Sequence, residues 1–518
     1  MTRSELLNEL ETQAEWDVVV IGGGATGLGI ALDAASRKYK TLLVEQSDFA
    51  KSTSSKSTKL IHGGVRYLAQ GHFGLVREAS VERACLLRNA PHLVRNQTFI
   101  IPLYNWFDAI KYTIGLKIYD WIAGNSSLGR AQFMSRKKTL DSLPNINSQK
   151  LIGGVVYHDG QFDDARLAIN LAQTIFDEGG MAINYMKVAK LTKDSNGLVA
   201  GVQLTDNETG KSYDIKAKAV VNATGVFADD ILQMDNAGAE KTIQVSQGTH
   251  VVIDKKFHPS GNAIMIPKTP DGRVLFLIPW YDKIVVGTTD SPVPNVSLEP
   301  VPSTEEIQFI LDTASMYLLQ KPARKDVDSA FAGLRPLAAQ KEQTTHTREI
   351  SRNYKIITSP SLLFTIVGGK WTTYRKMAED MVTRIEKELK WKSRKPVTSS
   401  LRIHGWKRET DPENVHSYYG SDETDIRLGM EGISGDWISS SLHLHKAQVI
   451  WAVRNEMART VEDVLARRTR ALLLDARESY RVAPAVATIM AEVLKKDQQW
   501  IDQQVKDYSS LVKNYILV

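Results

Sequence analysis

The chain has 518 residues, 42% of them hydrophobic and 24% charged, which is ordinary for a soluble globular protein and long enough for more than one domain. Its net charge of +6 is spread over this length, so it does not argue for nucleic acid, and no nucleic-acid partner is predicted; the charge favours anionic substrates or an anionic membrane surface. The single cysteine, Cys85, excludes an internal disulfide and a cysteine metal cluster, and no metal site is predicted. The polar first 15 residues predict no signal peptide, and no apolar run reaches the ~20 residues of a transmembrane helix.

Residues 16–46 predict a β-α-β unit at the start of the chain. The β-branched apolar run at 17–21 is typical of a buried parallel strand. A helical pattern follows at 28–35, and a second apolar strand occupies 41–44. In this order of elements, a glycine-rich G-x-G-x-x-G turn between the strand and the helix indicates dinucleotide binding.

Glycines fill the turn between this strand and helix. Gly22 permits the tight turn, Gly24 lets the backbone approach a pyrophosphate, and Gly27 lets helix and strand pack closely. Free N–H groups at the helix N-terminus suit phosphates. Glu45 ends the second strand and can accept a hydrogen bond from a ribose hydroxyl, which argues against NADP. The alternative is a glycine-rich turn of some other α/β protein, and these residues leave FAD and NAD both open.

Residues 53–68, TSSKSTKLIHGGVRYL, are the next informative stretch. Its hydroxyls and paired glycines could wrap a pyrophosphate and approach an isoalloxazine ring. A solvated polar loop would explain the serines but not the His-Gly-Gly-x-Arg-Tyr ending. The stretch resembles the signature of the FAD-dependent glycerol-3-phosphate dehydrogenases, a branch of the flavoproteins that resemble glycine oxidase and D-amino-acid oxidase.

Later segments carry the same resemblance. Residues 333–337, GLRPL, are similar to the family's G-x-RPL pattern, and 368–375, GGKWTTYR, to its GGK-x-TTYR pattern. Residues 456–477 resemble the family's all-helical C-terminal domain. Residues 351–354, SRNY, resemble its S/T-R-D-Y/H element but carry Asn353 where the family usually has aspartate.

The resemblance implies an α/β fold with three parts. The first is a Rossmann-like FAD-binding domain of the glycine/D-amino-acid oxidase type. An antiparallel-sheet domain that binds substrate and faces the membrane is interleaved with it, and the C-terminal domain is all-α. The predicted boundaries are 1–93, 151–240 and 331–388 for the FAD-binding domain, 94–150 and 241–330 for the substrate domain, and 389–518 for the C-terminal domain.

The resemblance also implies an activity. The expected enzyme oxidises sn-glycerol 3-phosphate to dihydroxyacetone phosphate by hydride transfer from C2 to N5 of FAD, and passes the electrons to a membrane quinone. The alternative within the family is an oxidase that uses O2 and makes H2O2. An amine or amino-acid oxidase and a non-enzymatic flavin-binding scaffold are further alternatives, which the phosphate-type cations of the motifs oppose. The expected location is the cytoplasmic, inner face of the cell membrane, as a peripheral protein, with a homodimer as a further expectation.

Phosphate recognition calls for arginine forks and lysine charge, and alcohol oxidation calls for a base. His62 and His250 are the candidate bases, because a histidine pKa can lie near the working pH. His62 comes first since its motif is the more specific, and a neutral structural histidine is the alternative for both. The four cations in the matching motifs are Arg66, Arg335, Arg352 and Lys370.

The candidate site residues fall into three groups. Those assigned to catalysis are His62, Arg335 and Lys370. Those assigned to substrate binding are Arg66, Tyr67, His250, Arg335, Arg352, Lys370 and Thr372. Those assigned to FAD are Gly22, Gly24, Ala25, Thr26, Gly27, Glu45, Gln46, Thr53, Ser54, Ser55, Ser57, Lys59, Leu60, His62, Gly63, Val188, Ala223, Thr224, Gly225, Gly333, Gly368, Gly369, Lys370, Trp371 and Thr372.

The aromatic segment 102–124 predicts a helix with two interpretations. It could pack in the core of the second domain, or its aromatic and lysine side chains within 104–121 could lie at the headgroup level of a bilayer. The resemblance to a family of peripheral membrane proteins favours the second interpretation.

The remaining elements are predicted from pattern. Helices are expected at 71–93, from Asp163 or Asp164 to 178, at 303–319 with a cap formed by Ser303 and Glu306, and in the C-terminal region at 446–457, 460–476, 482–495 and 497–518. A hairpin is expected at 274–290. The basic run of Arg467, Arg468 and Arg470 is interpreted as a solvated helix face.

Overall fold

The structure is a computed structural model that describes residues 2–64, 68, 71–269, 272–339, 354–409, 411, 414–431 and 436–517. Most of its strands belong to two large sheets. The strands are β1 Trp16–Ile21, β2 Thr41–Val44, β3 Leu60–Ile61, β4 Val94–Leu103, β5 Gln132–Ser135, β6 Gly153–Phe162, β7 Met181–Ile183, β8 Met186–Lys193, β9 Val199–Asp206, β10 Ser212–Asn222, β11 Ile243–Asp254, β12 Ala263–Ile266, β13 Leu275–Trp280, β14 Lys283–Gly287, β15 Ser291–Pro292, β16 Val327–Ala338, β17 Lys355–Thr358, β18 Leu363–Val367, β19 Trp437–Ser439 and β20 Leu444–His445.

Several helices begin at a residue whose side chain caps them. Asp163 accepts a hydrogen bond from the N–H of Arg166, and Ser303 and Glu306 form a capping box, as predicted. The helices are α1 Arg3–Thr12, α2 Ala25–Ser36, α3 Phe73–Asn89, α4 Trp106–Ala123, α5 Arg136–Ser142, α6 Asp164–Asp177, α7 Ala228–Asp235, α8 Thr304–Tyr317, α9 Tyr374–Glu388, α10 Glu423–Glu431, α11 Lys446–Asn455, α12 Ala471–Leu474, α13 Ala476–Leu494 and α14 Gln498–Val512.

The first sheet confirms the predicted β-α-β unit. Its strand order is β17-β18-β10-β1-β2-β7, and β1 pairs in parallel with both β2 and β10. Val18, Val19 and Val20 of β1 are fully buried because helices cover the sheet, with α2 packed between α6 and α9. The carboxyl ends of β1 and β10 therefore meet at one edge, where ligands of such sheets bind.

The second sheet has ten strands, in which β11 joins β14, β15 and β16. The predicted hairpin is present, since β13 and β14 pair through Trp280 and Lys283 on either side of the turn. The strands β6 and β16, which the predicted boundaries place with the FAD-binding segments, pair within this second sheet. The predicted FAD-binding segments 151–240 and 331–388 therefore contribute strands to both large sheets.

From Ser417 onward the described part of the C-terminal region is mainly helical and includes the small β19–β20 pair. Its helices pack on the second sheet through a shared apolar cluster that includes Val252, Trp280 and Phe331 of the sheet. The helix predicted at 460–476 is divided: a π-helical segment spans Asp463–Arg468, and Arg470 takes a left-handed conformation with φ of 58° before α12. The division lets three arginines turn towards the rest of the protein, as described below.

The helix α4 confirms the predicted helix in the aromatic segment. Its inner face packs Ala109, Leu116 and Tyr119 against the second sheet. No helix in the described part of the chain combines the length and the apolar character that crossing a membrane requires.

Candidate active site

The glycine-rich turn after β1 is built for close backbone contacts. Gly22 has a φ of 113°, and a Cβ there would lie 2.7 Å from the Ala223 carbonyl oxygen. A Cβ on Gly27 would lie 1.9 Å from the Gly22 carbonyl oxygen. Only glycine fits at these two positions, so the turn can bring the N-terminus of α2 to the edge where β1 and β10 end.

Glu45 and Ser54 complete the rim of this turn. The Glu45 carboxylate accepts hydrogen bonds from the N–H groups of Gly23, at 2.6 Å, and Ser47, at 2.8 Å. Burial raises the pKa of the Glu45 carboxyl despite these two donors. The Ser54 hydroxyl accepts a hydrogen bond from the N–H of Ala25 in the first turn of α2, at 3.0 Å. Residues of three predicted cofactor segments thus share one edge.

A second turn, 222–225, lies against the first. The Thr224 hydroxyl donates to the Asn222 side chain at 2.7 Å, and Gly225 has a φ of 61°. The Ala223 carbonyl contacts the position of Gly22, so the two turns form one cradle. A cradle of backbone groups, a helix N-terminus and an acid at the end of β2 fit the pyrophosphate and ribose of a dinucleotide. Val188, which is assigned to FAD, lies in β8, which pairs with β9 in the first sheet.

The loop that follows β2 connects this cradle to the second sheet. The Thr53 hydroxyl donates to the Leu334 carbonyl at 2.7 Å, and the indole N–H of Trp371 donates to the Ser54 carbonyl at 2.9 Å. A Cβ on Gly333 would lie 2.7 Å from the Lys56 carbonyl oxygen. The three motifs that are separate in sequence are therefore in direct contact.

Two side chains assigned to FAD point into the protein instead. The Lys59 ammonium is fully buried and binds the Asp164 carboxylate at 2.7 and 2.9 Å and the Ser55 carbonyl at 2.6 Å. The Ser57 hydroxyl donates to the same carboxylate at 2.6 Å. A contact of Lys59 or Ser57 with the cofactor would have to come from the backbone, because these side chains anchor the loop to α6.

The turn at His62 and Gly63 rests on a buried network that the sequence did not indicate. Arg83 donates to the Asp159 carboxylate and, at 3.1 Å, to the Tyr119 hydroxyl. The Tyr119 hydroxyl donates to the other Asp159 oxygen at 3.1 Å, and the N–H of Gly63 donates to Asp159 at 3.3 Å. A Cβ on Gly63 would lie 2.2 Å from the Tyr119 oxygen, so the network of Arg83, Tyr119 and Asp159 fixes the backbone next to His62.

His250 is a packed histidine of β11. Its ring is 2% exposed, stacks on Phe331 with 4.9 Å between ring centres, and shares a hydrogen bond with the Thr58 hydroxyl at 2.9 Å. Burial, and then the charges of Arg335 and Lys59, hold the pKa of His250 well below its usual value. The geometry favours the structural interpretation of this histidine and weakens its assignment to substrate binding.

Arg335 lies in β16 beside the connection between β14 and β15. Its guanidinium donates to the Thr288 hydroxyl at 2.9 Å and the Thr289 carbonyl at 3.0 Å, and pairs with Asp290 at 3.2 Å. A Cβ on Gly248 would lie 2.1 Å from the guanidinium, so that glycine provides its space. The Arg335 side chain is 23% exposed, so these contacts hold a partly exposed cation in place.

The segment 368–372 meets the same region. Gly368 and Gly369 have φ values of 80° and 90°, and Lys370 precedes the short helical turn that begins at Trp371. Thr372 is buried, whereas Lys370 is partly buried. Through Trp371 this segment contacts the 53–57 loop, as the assignment to FAD expects. The predicted substrate residues Arg66, Tyr67 and Arg352 lie outside the described residues.

Comparisons with known proteins agree with this arrangement. A model of the FAD dependent oxidoreductases matches residues 17–375, and a model of the C-terminal domain of alpha-glycerophosphate oxidase matches 364–501. The mitochondrial glycerol-3-phosphate dehydrogenase of Schizosaccharomyces pombe is 37% identical over 98% of this chain and 89% of its own length. The human mitochondrial enzyme of the same name is 36% identical over 98% of this chain and 74% of its own.

A solved structure is similar over the whole molecule. The glycerol-3-phosphate dehydrogenase from Bacillus halodurans, complexed with FAD, superposes with a TM-score of 0.80 at 29% identity, covering 99% of this chain and 98% of that one. The chain belongs to the FAD-dependent glycerol-3-phosphate dehydrogenase family. FAD is the cofactor of this family member, and the cradle described above is the part of the chain that fits it.

In this member of the glycerol-3-phosphate dehydrogenase family, the prediction that the C-terminal arginines form a solvated helix face is wrong. Arg467, Arg468 and Arg470 are at most 2% exposed. Arg467 and Arg468 both donate to the Asp48 carboxylate, three residues after Glu45, and Arg470 pairs with Asp163 at 3.0 Å. Burial alone would raise the pKa of the Asp48 carboxyl, but Arg468 and Arg467 hold it well below its usual value.

These contacts explain the failed interpretation. A basic run on a helix resembles a solvated face unless the acids that face it are known, and two of those acids, Asp48 and Asp163, lie more than 300 residues away in sequence. The arginines attach the C-terminal helices to the FAD-binding part of the glycerol-3-phosphate dehydrogenase fold. The network of Arg83, Tyr119 and Asp159 was missed for the same reason.

Proposed function

We propose that this protein oxidises sn-glycerol 3-phosphate to dihydroxyacetone phosphate, with FAD taking the hydride from C2 at N5. The observation that supports this proposal is the contact between motifs: beside the dinucleotide cradle, the 53–63 loop contacts both Leu334, which precedes Arg335, and Trp371 of the 368–372 segment. The names of the relatives and of the Bacillus halodurans structure support the choice of substrate.

The substrate requires a place for a phosphate dianion next to the reacting carbon. Arg335 supplies a fixed guanidinium whose positive charge can attract a phosphate dianion, and Lys370 supplies a second cation from another of the matching motifs. Binding a remote phosphate also orients the C2 hydroxyl for reaction. Arg335 therefore has the role of phosphate clamp in this proposal.

The hydroxyl proton of C2 requires a base. His62 has this role in the proposal, since its backbone is fixed through Gly63 and Asp159 while its side chain is only partly buried. His250 has the weaker case, because its ring is buried and carries a depressed pKa. It supports the site by packing against Phe331 and contacting Thr58.

A membrane quinone is the proposed electron acceptor, and the surface of α4 supports it. Five large apolar side chains follow one face of the helix and are exposed to solvent; we call them the apolar stripe. Helices of this kind lie in the interface of a bilayer, where a quinone is within reach. The protein would thus be peripheral, on the inner face of the cell membrane. The apolar stripe consists of Phe107, Ile110, Ile114, Ile118 and Trp121.

The test is anaerobic mixing of the purified holoenzyme with sn-glycerol 3-phosphate while the flavin absorbance is followed. Bleaching supports the proposed reaction, and its absence would refute it and make amino acids the next donors to try. Reoxidation that is fast with a soluble quinone and slow with air supports the dehydrogenase.

A glycerol-3-phosphate oxidase is the second candidate function. The family model that matches residues 364–501 is described by an alpha-glycerophosphate oxidase, which favours it. In the same experiment an oxidase would regain its colour quickly in air and form one H2O2 for each substrate.

A further inference from the structure

Glu306, in the first turn of α8, binds many more groups than a helix cap requires. Its Oε1 accepts hydrogen bonds from the hydroxyls of Thr289 and Ser291, both at 2.7 Å. Its Oε2 accepts from the Thr249 hydroxyl at 2.7 Å and from the Gln247 amide at 2.9 Å. The donors come from β11 and from the segment 289–291, so one carboxylate joins these two segments to α8.

The carboxylate is charged although it is buried. Among the described residues, no lysine, arginine or histidine forms an ion pair with Glu306, and its partners are neutral hydroxyls and an amide. Burial would raise the pKa of Glu306, but the hydrogen bonds from Thr289, Thr249, Ser291 and Gln247 outweigh it and lower the pKa. Burying a carboxylate without a cation costs free energy of folding. We therefore expect the buried Glu306 carboxylate to contribute to function.

The connection between β14 and β15 that binds Glu306 also binds the guanidinium of Arg335. Thr289 donates its hydroxyl to Glu306, while its carbonyl accepts from the Arg335 guanidinium at 3.0 Å. The same hydroxyl oxygen accepts from the N–H of Thr249 at 2.8 Å. Thr288 and Asp290, on either side of Thr289, also bind the guanidinium.

We propose that Glu306 is a positioning residue for the substrate phosphate, acting through Thr289 on Arg335. This inference rests on the proposed function. A clamp works at full strength only when its partners are fixed before the ligand arrives, since otherwise part of the binding energy is used to order the site. The charge of Glu306 fixes the 288–290 segment, and that segment fixes the guanidinium. The alternative is that Glu306 only caps α8.

The experiment compares Glu306→Gln with Glu305→Gln in the holoenzyme. Both changes remove one negative charge from the first turn of α8, but the Glu305 side chain is exposed and lies outside the network. We expect Glu306→Gln to raise the half-saturating concentration of sn-glycerol 3-phosphate for anaerobic flavin reduction about tenfold, as for residues in one hydrogen-bond network. The limiting rate, the FAD content and the behaviour of Glu305→Gln should stay close to those of the wild type.

A double-mutant cycle with Arg335→Ala separates positioning from capping. If Glu306 acts through Arg335, Glu306→Gln has little further effect on half-saturation once the guanidinium is gone. Equal losses in both backgrounds, or a lower melting temperature with unchanged half-saturation, would overturn the inference. Should Glu306→Gln lose its flavin, Thr289→Val removes the linking hydroxyl and must show the same dependence on Arg335. If sn-glycerol 3-phosphate does not reduce the flavin of the wild type, the proposed function is refuted, and this inference is refuted with it.

Discussion

The apolar stripe of α4 permits a prediction whose size follows from the structure. Phe107 and Trp121 are 76% and 82% exposed, so most of each side chain could leave water at a bilayer surface. Full burial of a large apolar side chain is worth roughly 1.5–3 kcal/mol. The double substitution Phe107→Ser with Trp121→Ser should therefore cost about 3 kcal/mol of membrane binding, or roughly a hundredfold in the partition coefficient.

Co-sedimentation with lipid vesicles measures this partition directly. The variant should keep its flavin, its melting temperature and its turnover with a soluble acceptor, because both side chains are outside the core. Its turnover with a long-chain quinone held in vesicles should fall in step with binding. The matched control is Leu428→Ser, which removes an exposed apolar side chain from α10. Unchanged vesicle binding in the double variant, or an equal loss in the control, would refute an interfacial role for α4.

Three further predictions concern parts that the sequence did not reveal. Tyr119→Phe should slow flavin reduction by sn-glycerol 3-phosphate without loss of FAD, because the support of the His62 turn is weakened; Tyr112→Phe on the same helix is the control, and equal rates in the two variants would contradict this role. Asp48→Asn should destabilise the protein by about 3–5 kcal/mol in chemical unfolding, since two buried arginines lose their carboxylate; a shift below 1 kcal/mol would show that the pairing is dispensable. The pKa of His404, which burial would lower, is raised to about 9 by Asp177 and Asp422, so its contribution to stability is complete below about pH 6.5 and is lost as the pH rises towards 9. The free energy of unfolding of the wild type, measured by chemical unfolding at a series of pH values, should show this decline. If His404→Asn shows the same decline, the charge of His404 is not its cause.

The predicted elements that were confirmed are those that local pattern determines. The strand, glycine turn and helix at 17–35 and the hairpin around Trp280 and Lys283 depend on neighbours in sequence. The same holds for the capping box of Ser303 and Glu306. The helix at 460–476 was predicted without its interruption, because the turn at Arg470 is stabilised by distant acids rather than by local preference.

The candidate site was predicted unevenly for the same reason. Thr53, Trp371 and Arg335 were assigned from motifs, and the structure brings their segments into contact. Lys59 was assigned to the cofactor because it lies in a motif, yet its side chain is buried and binds Asp164. A motif shows that a residue type matters at a position, but the direction of a side chain depends on what surrounds it.

By itself, the sequence determined the chemistry that this protein carries: a dinucleotide turn, a hydroxyl-rich loop and a set of cations suited to a phosphate. Backbone preference and hydrogen-bonding capacity belong to the residues and can be read in order along the chain. The tertiary structure alone decided which charges are buried together, as for Arg468 with Asp48, and that Glu306 supports Arg335. The value of a buried charge depends on the distance to its partners and on the loss of water around it, and neither exists until the chain has folded.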